Sequence, residues 1–218
     1  MPGPAKIADA RGGTVLHARL YLITADPLAL GGCITYIESE ARPAIENRPG
    51  SLGLSLLASP ESGAVVLESF WVSHDALEAS EQGVALVRGE LAWLTGGSVL
   101  CERYQVPVFE REALLHGGEE VRLTRIKVKP SAVTDVVEVF GDSAVPRLAE
   151  TAGFCSALLF ADPGSGEVIS ESAWRDPQTR AASPSVAAVI QSDLLKPSDC
   201  LIRAVDDYRL VFSSARKA

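Results

Sequence analysis

The sequence predicts an α+β protein built from two similar domains, each with the element order β-α-β-β-α-β. Two observations lead to this prediction. The stretch 50–80 returns at a constant offset of 103 as the stretch 153–183, with twelve identical residues in thirty-one positions. Chance would give roughly two or three identities at ordinary residue frequencies. Each half also alternates between runs of β-branched and apolar residues and segments with helical spacing. The chain is therefore a tandem duplication.

In the first half, runs rich in β-branched and apolar residues and bounded by turn residues predict four strands, at 14–24, 52–58, 64–72 and 98–109. The segment from Leu28 to about Asn47 has apolar residues at steps of three and four, which predicts an amphipathic helix. Pro43 should kink or split its end. A second helix is predicted to begin at Ser73 or Asp75, since either side chain is a suitable N-cap.

The second half repeats this order. Strands are predicted at 121–128, 155–161, 167–174 and 200–212. A helix is predicted over 132–151, and its Pro146 lies 103 residues after Pro43, so the kink is duplicated as well. The second helical region, about 178–195, is interrupted by Pro184.

The order β-α-β-β-α-β is the ferredoxin-like arrangement, in which two helices cover one face of an antiparallel sheet. The other face is left bare and requires a partner. We therefore predict that the two fused halves pack sheet to sheet and close an intramolecular dimeric α+β barrel. The predicted ranges are a flexible arm at 1–13, a first domain at 14–109, a linker at 110–119, a second domain at 120–212 and a tail at 213–218.

Composition excludes several classes of function. With 218 residues, 47% hydrophobic and 22% charged, the chain is long and apolar enough for a real core. Its formal net charge of −8 argues against a nucleic-acid partner, because such binding depends on clustered Lys and Arg. Neither a signal peptide nor an apolar stretch of the ~20 residues that span a bilayer is evident. We expect no membrane partner and a cytoplasmic location.

The cysteines and glycines give no sign of a cofactor. The four cysteines form no CxxC pair and do not occupy matched repeat positions, so we predict reduced thiols rather than a zinc site or a duplicated disulfide. No GxGxxG sequence and no Walker lysine motif is present, so nucleotide or flavin binding has no support. We predict no cofactor and no metal.

The residues of each half also resemble a known family. The string Pro49-Gly50 followed by Gly53, Leu56-Leu57, the segment Glu68-Ser69-Phe70-Trp71, and later Glu102-Arg103-Tyr104 resembles the antibiotic-biosynthesis-monooxygenase-like domains of the dimeric α+β-barrel superfamily. The resemblance covers 14–108 and again 120–212. It implies the ferredoxin-like barrel fold, and its members include cofactor-independent monooxygenases that oxidise anthrone- or hydroquinone-like rings with dioxygen.

The resemblance also implies positions for a site. In the polyketide oxidases a Trp at the end of the third strand lines the substrate cavity, and Trp71 and Trp174 match it. Each of them either faces such a cavity or fills the core between helices and sheet. The accompanying family residues are an Asn four positions before the Trp, a Tyr six after it and an Arg twenty after it. Those positions hold Leu67, Leu77 and Leu91 in the first half and Ser170, Arg180 and Leu194 in the second. The heme-degrading branch requires an axial His where this chain has Glu90 and Asp193, so heme degradation is not expected.

Two arginine–glutamate pairs recur in the halves, Arg19 with Glu68 and Arg125 with Glu171. In the ferredoxin-like order strands one and three are neighbours, so each pair is expected to meet across the sheet. It would then be either a cross-strand ion pair or an anchor for an anionic or phenolic ligand. His17 in the first strand is a candidate general base.

Two functions follow from these patterns. The first is a cofactor-independent monooxygenase-like protein acting on an aromatic or hydrophobic small molecule, with His17, Arg19 and Arg125 as catalytic residues. Trp71, Trp174, Glu68 and Glu171 would then bind the substrate. The second is a non-catalytic ligand-binding or structural barrel that has lost the family's active site. A homodimer of the fused barrel is compatible with either function.

Overall fold

A computed structural model describes residues 15–193 and 200–216 of the chain. The strands within these ranges are β1 Leu16–Thr24, β2 Ser51–Ser59, β3 Ala64–Trp71, β4 Val99–Arg111, β5 Glu120–Val128, β6 Phe154–Asp162, β7 Glu167–Trp174 and β8 Cys200–Ser213. The helices are α1 Leu30–Tyr36, α2 Arg42–Glu46, α3 His74–Ala79, α4 Glu81–Thr95, α5 Val133–Val139, α6 Val145–Ala149, α7 Pro177–Ala182 and α8 Val186–Asp193. The eight strands and the break between α7 and α8 were predicted by the sequence.

The strands are hydrogen-bonded in the order β1-β3-β2-β8-β5-β7-β6-β4, and this order closes into an antiparallel barrel. The predicted fold class, two fused ferredoxin-like domains with antiparallel sheets, is thereby confirmed. None of the helices in the described ranges is long and apolar enough to cross a membrane.

The chain forms two compact units, and the boundaries between them fall within the long strands β4 and β8. The first unit contains Leu16–Tyr104 and the described residues from Arg209 onward; the second contains Val15 and the described residues between Gln105 and Tyr208. Within the first unit, β2 pairs with the end of β8, with Leu56 opposite Phe212. Within the second, the end of β4 pairs with β6, with Phe109 opposite Leu158. The domain ranges given above remain predictions, and the arm at 1–13 lies outside the described residues.

Each unit buries one face of its sheet beneath its own helices. In the first unit Tyr21, Leu54 and Trp71 pack with helix residues such as Ile37 and Ile45. In the second unit Ala157, Leu159 and Trp174 pack with helix residues such as Val136 and Phe140. Because successive strand residues point to opposite faces, the residues between these positions face away from the helices.

The first helical segment of each unit contains a π-helical turn at the same repeat position. The turns are Ile37–Ala41, before Pro43, and Phe140–Ala144, before Pro146. Proline lacks a backbone N–H and its ring crowds the carbonyl four residues earlier, so the helix widens where it approaches the proline. The duplicated disturbance that the two prolines predict is confirmed, in the form of a wider turn.

The predicted tail at 213–218 starts at the last residue of β8. Beyond that strand, the Ser214 N–H donates to the Leu54 carbonyl at 2.8 Å and the Arg216 N–H to the Leu52 carbonyl at 2.9 Å. These two bonds continue the pairing with β2 as far as the structure describes the chain.

Candidate functional site

The helix-packed face of the first unit brings three of the predicted site residues together. His17 lies opposite Trp71 and Arg19 opposite Ser69 in the pairing of β1 with β3, and directly paired residues share a face. Trp71 is fully buried, and its indole N–H donates to the Ser69 hydroxyl at 3.2 Å. His17 is half-buried and its ring contacts that of His74, with the ring centroids 5.6 Å apart.

Arg19 is completely buried and fixes the junction between α3 and α4 to the sheet. One terminal nitrogen donates to the Ser80 hydroxyl at 2.9 Å. The other donates to the Leu77 carbonyl at 2.8 Å and pairs with a Glu81 carboxylate oxygen at 2.9 Å. The guanidinium lies 5.9 Å from the centre of the Trp71 ring. The Nε atom of Arg19 is buried and has no hydrogen-bond partner among the described residues.

Glu81 connects this buried arginine to the surface. Its carboxylate also receives hydrogen bonds from Arg88 at 3.3 Å and from Arg103 at 3.0 Å. Burial by itself would raise the pKa of Glu81. The hydrogen bond from Arg103 and the charges of Arg19, Arg103 and Arg88 outweigh burial, so this pKa lies below its ordinary value of 4.5.

The lowered pKa of Glu81 gives a pH-dependent stability. Its carboxylate contributes stability that is fully present above the pKa of the unfolded chain, near 4.5, and is lost as the pH falls through the lower pKa of the folded state. We expect Glu81→Gln to lower the urea midpoint at pH 7 and to lower it much less at pH 3. Urea unfolding of both proteins at several pH values measures this; an equal difference at pH 7 and pH 3 would contradict it.

Tyr21 is a buried polar residue on the same face that the sequence analysis did not single out. It lies opposite Leu67 and is 1% exposed. Burial raises the pKa of its phenol to about 12, although the positive charge of Arg19 acts in the opposite direction. The phenol is therefore neutral at pH 7. Its buried hydroxyl has no hydrogen-bond partner among residues 15–193 and 200–216.

The three positions at which the resemblance implies Asn, Tyr and Arg lie in one core in the first unit. They hold leucines, Leu67, Leu77 and Leu91, each at most 1% exposed and all packed in one core with Trp71. The polar set of the family is thus replaced by apolar side chains around the tryptophan. His17, Arg19 and Tyr21 supply the polar side chains on this face of β1 instead.

The second unit differs at nearly every equivalent position. Trp174 is fully buried, donates to the Ser172 hydroxyl at 3.1 Å and packs edge-on against Phe154. By the register with β7, Glu120 replaces His17 and Arg122 replaces Arg19. The second of the three family positions, Leu77 in the first unit, is an arginine here, and the third, Leu194, lies outside the described residues.

That arginine, Arg180, belongs to a network of ion pairs. It pairs with Asp207 and, at 3.7 Å, with Glu120, while Arg122 donates to Asp207 at 3.1 Å. Burial would raise the pKa of Asp207, but the hydrogen bonds from Arg180 and Arg122 hold it below its ordinary value. The second unit therefore has mutually paired charges where the first has His17 and Arg19.

The expected pairing of Arg19 with Glu68 is wrong. Glu68 lies opposite Leu20, one residue from Arg19, and therefore on the face away from the helices. Arg125 is not the repeat counterpart of Arg19 either. It lies opposite Ile169, and Glu171 lies opposite Leu123, so Arg125 and Glu171 share the face away from the helices without being directly opposed.

Sequence reasoning missed Tyr21, Ser80 and Glu81. Ser80 carried a signal, because it is identical in the two halves at Ser183. Tyr21 carried none, since an aromatic residue in a strand is typical of ordinary packing. No group of three or more His, Cys, Asp and Glu residues in the described part of the chain is arranged to hold a metal ion.

Comparison with known proteins agrees with this architecture. No protein-family model matches the chain. An anthrone oxidase-like protein of solved structure has a TM-score of 0.66 at 16% identity, covering 98% of each chain. A candidate monooxygenase from Lactobacillus acidophilus has a TM-score of 0.62 at 11% identity, covering 92% of this chain and 95% of its own. At these identities the likeness shows only the fold, a closed antiparallel barrel of two ferredoxin-like halves.

Two relatives from Mycobacterium tuberculosis are similar in sequence, and both are uncharacterized proteins. Rv2558 is 28% identical over 205 residues, which cover 94% of this chain and 87% of the relative. Rv2557 is 30% identical over 158 residues, which cover 72% of this chain and 70% of the relative. The chain therefore belongs to the same protein family as Rv2557.

Proposed function

We propose that the first unit binds a hydroxylated aromatic small molecule between its sheet and its helices, beside Trp71. One observation carries this proposal: the Tyr21 hydroxyl and the Arg19 Nε are both buried on this face without a hydrogen-bond partner among the described residues. Leaving such a group unpaired costs about 1–3 kcal/mol. A ligand oxygen that bonds to these atoms would recover that free energy.

The lining of the site defines the class of ligand. The neutral Tyr21 phenol can donate or accept a hydrogen bond and the Arg19 Nε can only donate, which suits a hydroxyl or carbonyl oxygen. The surrounding side chains are apolar or aromatic, among them Trp71, Leu67 and Leu91. Such a lining with a few polar atoms is typical of sites for small organic molecules. An aromatic ring that carries one oxygen fits both the apolar side chains and the two polar atoms of this lining.

Binding without the family's reaction is the function that the geometry supports best. The Asn, Tyr and Arg of the polyketide oxidases are replaced by Leu67, Leu77 and Leu91, so those hydrogen-bonding groups are missing from the first unit. Arg125, a predicted catalytic residue, belongs to the second unit. These two facts favour the non-catalytic alternative that the sequence left open.

Oxidation of the ligand by dioxygen is a second candidate function, favoured by the position of His17. Its imidazole lies opposite Trp71 on the helix-packed face, and imidazole is the side chain best suited to accept a proton near neutral pH. In this scheme His17 would deprotonate a bound phenol and the phenolate would react with dioxygen. A cytoplasmic location and a homodimer of the fused barrel are proposals that rest on the sequence alone.

Calorimetric titration with 1-naphthol tests the binding site. We expect the wild type to bind it and Tyr21→Phe to bind it about tenfold more weakly, because one buried hydrogen bond is lost. Tyr104→Phe is the matched control, since the Tyr104 hydroxyl already donates to Glu102 at 2.9 Å; its affinity should equal that of the wild type. Equal affinities of all three proteins, or no binding by the wild type, would contradict the proposal.

An oxygen electrode separates the two candidate functions. Purified protein with anthrone should consume dioxygen no faster than anthrone alone if the first unit only binds its ligand. Faster uptake that disappears in His17→Gln, with 1-naphthol binding retained, would establish the oxidation instead.

A further inference from the structure

The second unit has a polar cluster on the sheet face that points away from its helices. Arg111 lies opposite Ser156 and Phe109 opposite Leu158 in the pairing of β4 with β6. Leu158 in turn lies opposite Glu171 of β7. Because directly paired residues share a face, Arg111, Ser156, Phe109 and Glu171 occupy one patch of this sheet. This patch, which we call the Arg111 cluster, lies on the opposite side of the sheet from Trp174.

Ser156 is fully buried, and its hydroxyl has no hydrogen-bond partner among the described residues. It lies next to an irregularity in β6, where the register shifts between Phe154 and Ser156. Such bulges redirect a side chain and are frequent beside functional sites. A buried hydroxyl without a partner destabilises the fold by an amount comparable to a lost hydrogen bond, so its presence calls for a group that bonds to it.

Arg111 provides a positive charge beside this hydroxyl. Its guanidinium lies 5.2 Å from the centre of the Phe109 ring. Burial lowers the pKa of Arg111, and the charge of Glu171 compensates for this only in part. On the same face, β5 and β7 also carry Arg125, and Lys127 paired with Glu167 at 2.9 Å. Asp162 of β6, opposite Glu167, lies on this face as well, so β4 to β7 place three basic and three acidic side chains on it.

The duplication provides an internal comparison. At the offset of 103, Ser156 corresponds to Gly53, which has φ +97° and whose added Cβ would lie 2.3 Å from the Ser214 carbonyl oxygen. The hydrogen bonds Ser214 N–H to Leu54 and Arg216 N–H to Leu52 place Ala215 opposite Gly53. The first unit thus forms the same strand pairing with Gly and Ala where the second has Ser and Arg. An arginine is therefore not required for this strand pairing. Ser156 differs from Gly53 in backbone conformation as well, because no non-glycine residue among those described has a positive φ.

We propose that the Arg111 cluster is a second ligand site, separate from the one beside Trp71, and that it binds a small aromatic monocarboxylate. The carboxylate accepts hydrogen bonds from the Arg111 guanidinium and the Ser156 hydroxyl, and its ring packs against Phe109. A carboxylate also matches the planar donor geometry of arginine.

Calorimetric titration of the full chain with benzoate tests this proposal, with neutral benzamide as the isosteric comparison. We expect the wild type to bind benzoate and to bind benzamide at least about tenfold more weakly, because benzamide lacks the charge. Arg111→Ala should lose at least about tenfold in benzoate affinity, and Ser156→Ala about threefold to tenfold. Arg147→Ala, which removes a half-exposed arginine from α6, should bind benzoate like the wild type.

Three results would overturn the proposal: no benzoate binding by the wild type at millimolar concentrations, equal binding of benzoate and benzamide, or unchanged benzoate binding in Ser156→Ala. Ser156→Ala removes only one oxygen atom, so it tests the site even if Arg111→Ala does not fold. Titration with 1-naphthol in the same variants separates the two sites. If the wild type binds 1-naphthol, Ser156→Ala should bind it with the same affinity. If the wild type does not bind 1-naphthol, the benzoate titrations still test the Arg111 cluster by themselves.

Discussion

Trp71→Ala is expected to lower the free energy of unfolding by about 3–5 kcal/mol, the usual cost of deleting a large buried aromatic side chain. Trp71 is fully buried and packs with sheet residues and with helix residues such as Ile45 and Leu77. Its indole N–H bonds to Ser69, so the variant loses a hydrogen bond as well as packing. Trp174→Ala is expected to have a similar cost, because Trp174 has the same burial and the same bond to Ser172.

Urea unfolding monitored by circular dichroism measures both losses. Trp93→Ala is the matched control, since Trp93 on α4 is 77% exposed and should change stability by less than about 0.5 kcal/mol. A loss below about 1 kcal/mol in Trp71→Ala would mean that this side chain is not part of the core. The site would then have to be placed differently.

Arg19→Ala is the second change with a large expected effect, about 3–5 kcal/mol of unfolding free energy, as for other broken buried ion pairs. The substitution removes the hydrogen bonds to Ser80 and to the Leu77 carbonyl and the ion pair with Glu81. It also leaves a cavity beneath the start of α4. Arg19→Met, which keeps most of the volume, should cost clearly less.

The control for this prediction is an arginine with the same partner at the surface. Arg103 pairs with Glu81 at 3.0 Å and is 46% exposed, so Arg103→Ala should cost less than about 1 kcal/mol. Equal losses in Arg19→Ala and Arg103→Ala would contradict the structural role assigned to the buried arginine.

The strands of this fold could be predicted from the sequence because local rules determine them. Alternating β-branched runs bounded by Pro and Gly gave the range 167–174 for β7, and the offset of 103 carried each assignment into the other half. The wider helical turns before Pro43 and Pro146 could also be anticipated, because the chemistry of proline requires a disturbance there. These features depend on the local sequence and on its repetition in the second half.

The site could be predicted only in part, because it depends on strand register. A difference of one residue places Arg19 and Glu68 on opposite faces of the sheet, and composition does not fix that difference. A mismatch of three residues made Arg125 appear to be the counterpart of Arg19, a position that Arg122 occupies. Tyr21 became a candidate only when its burial and its missing hydrogen bond were known.

The duplication has allowed the two halves to diverge on a shared scaffold. At the position of Leu77 the second unit has Arg180, which is neutralised by Glu120 and Asp207. At the position of Gly53 it has Ser156, whose buried hydroxyl has no partner in the described chain. In the first unit the unpaired Arg19 Nε and Tyr21 hydroxyl lie beneath the helices, whereas in the second the unpaired Ser156 hydroxyl lies on the opposite face of the sheet.

The stability of Tyr21→Phe with and without 1-naphthol tests the central claim most directly. If the Tyr21 hydroxyl is an unpaired buried group that awaits a ligand, the variant should be as stable as the wild type or more stable, by up to about 1–3 kcal/mol, when no ligand is present. At the same excess concentration, 1-naphthol should then raise the melting temperature of the wild type more than that of the variant, because the stabilisation of the folded state increases with the logarithm of the affinity. A variant that is less stable than the wild type without ligand, and equally stabilised by 1-naphthol, would contradict the account.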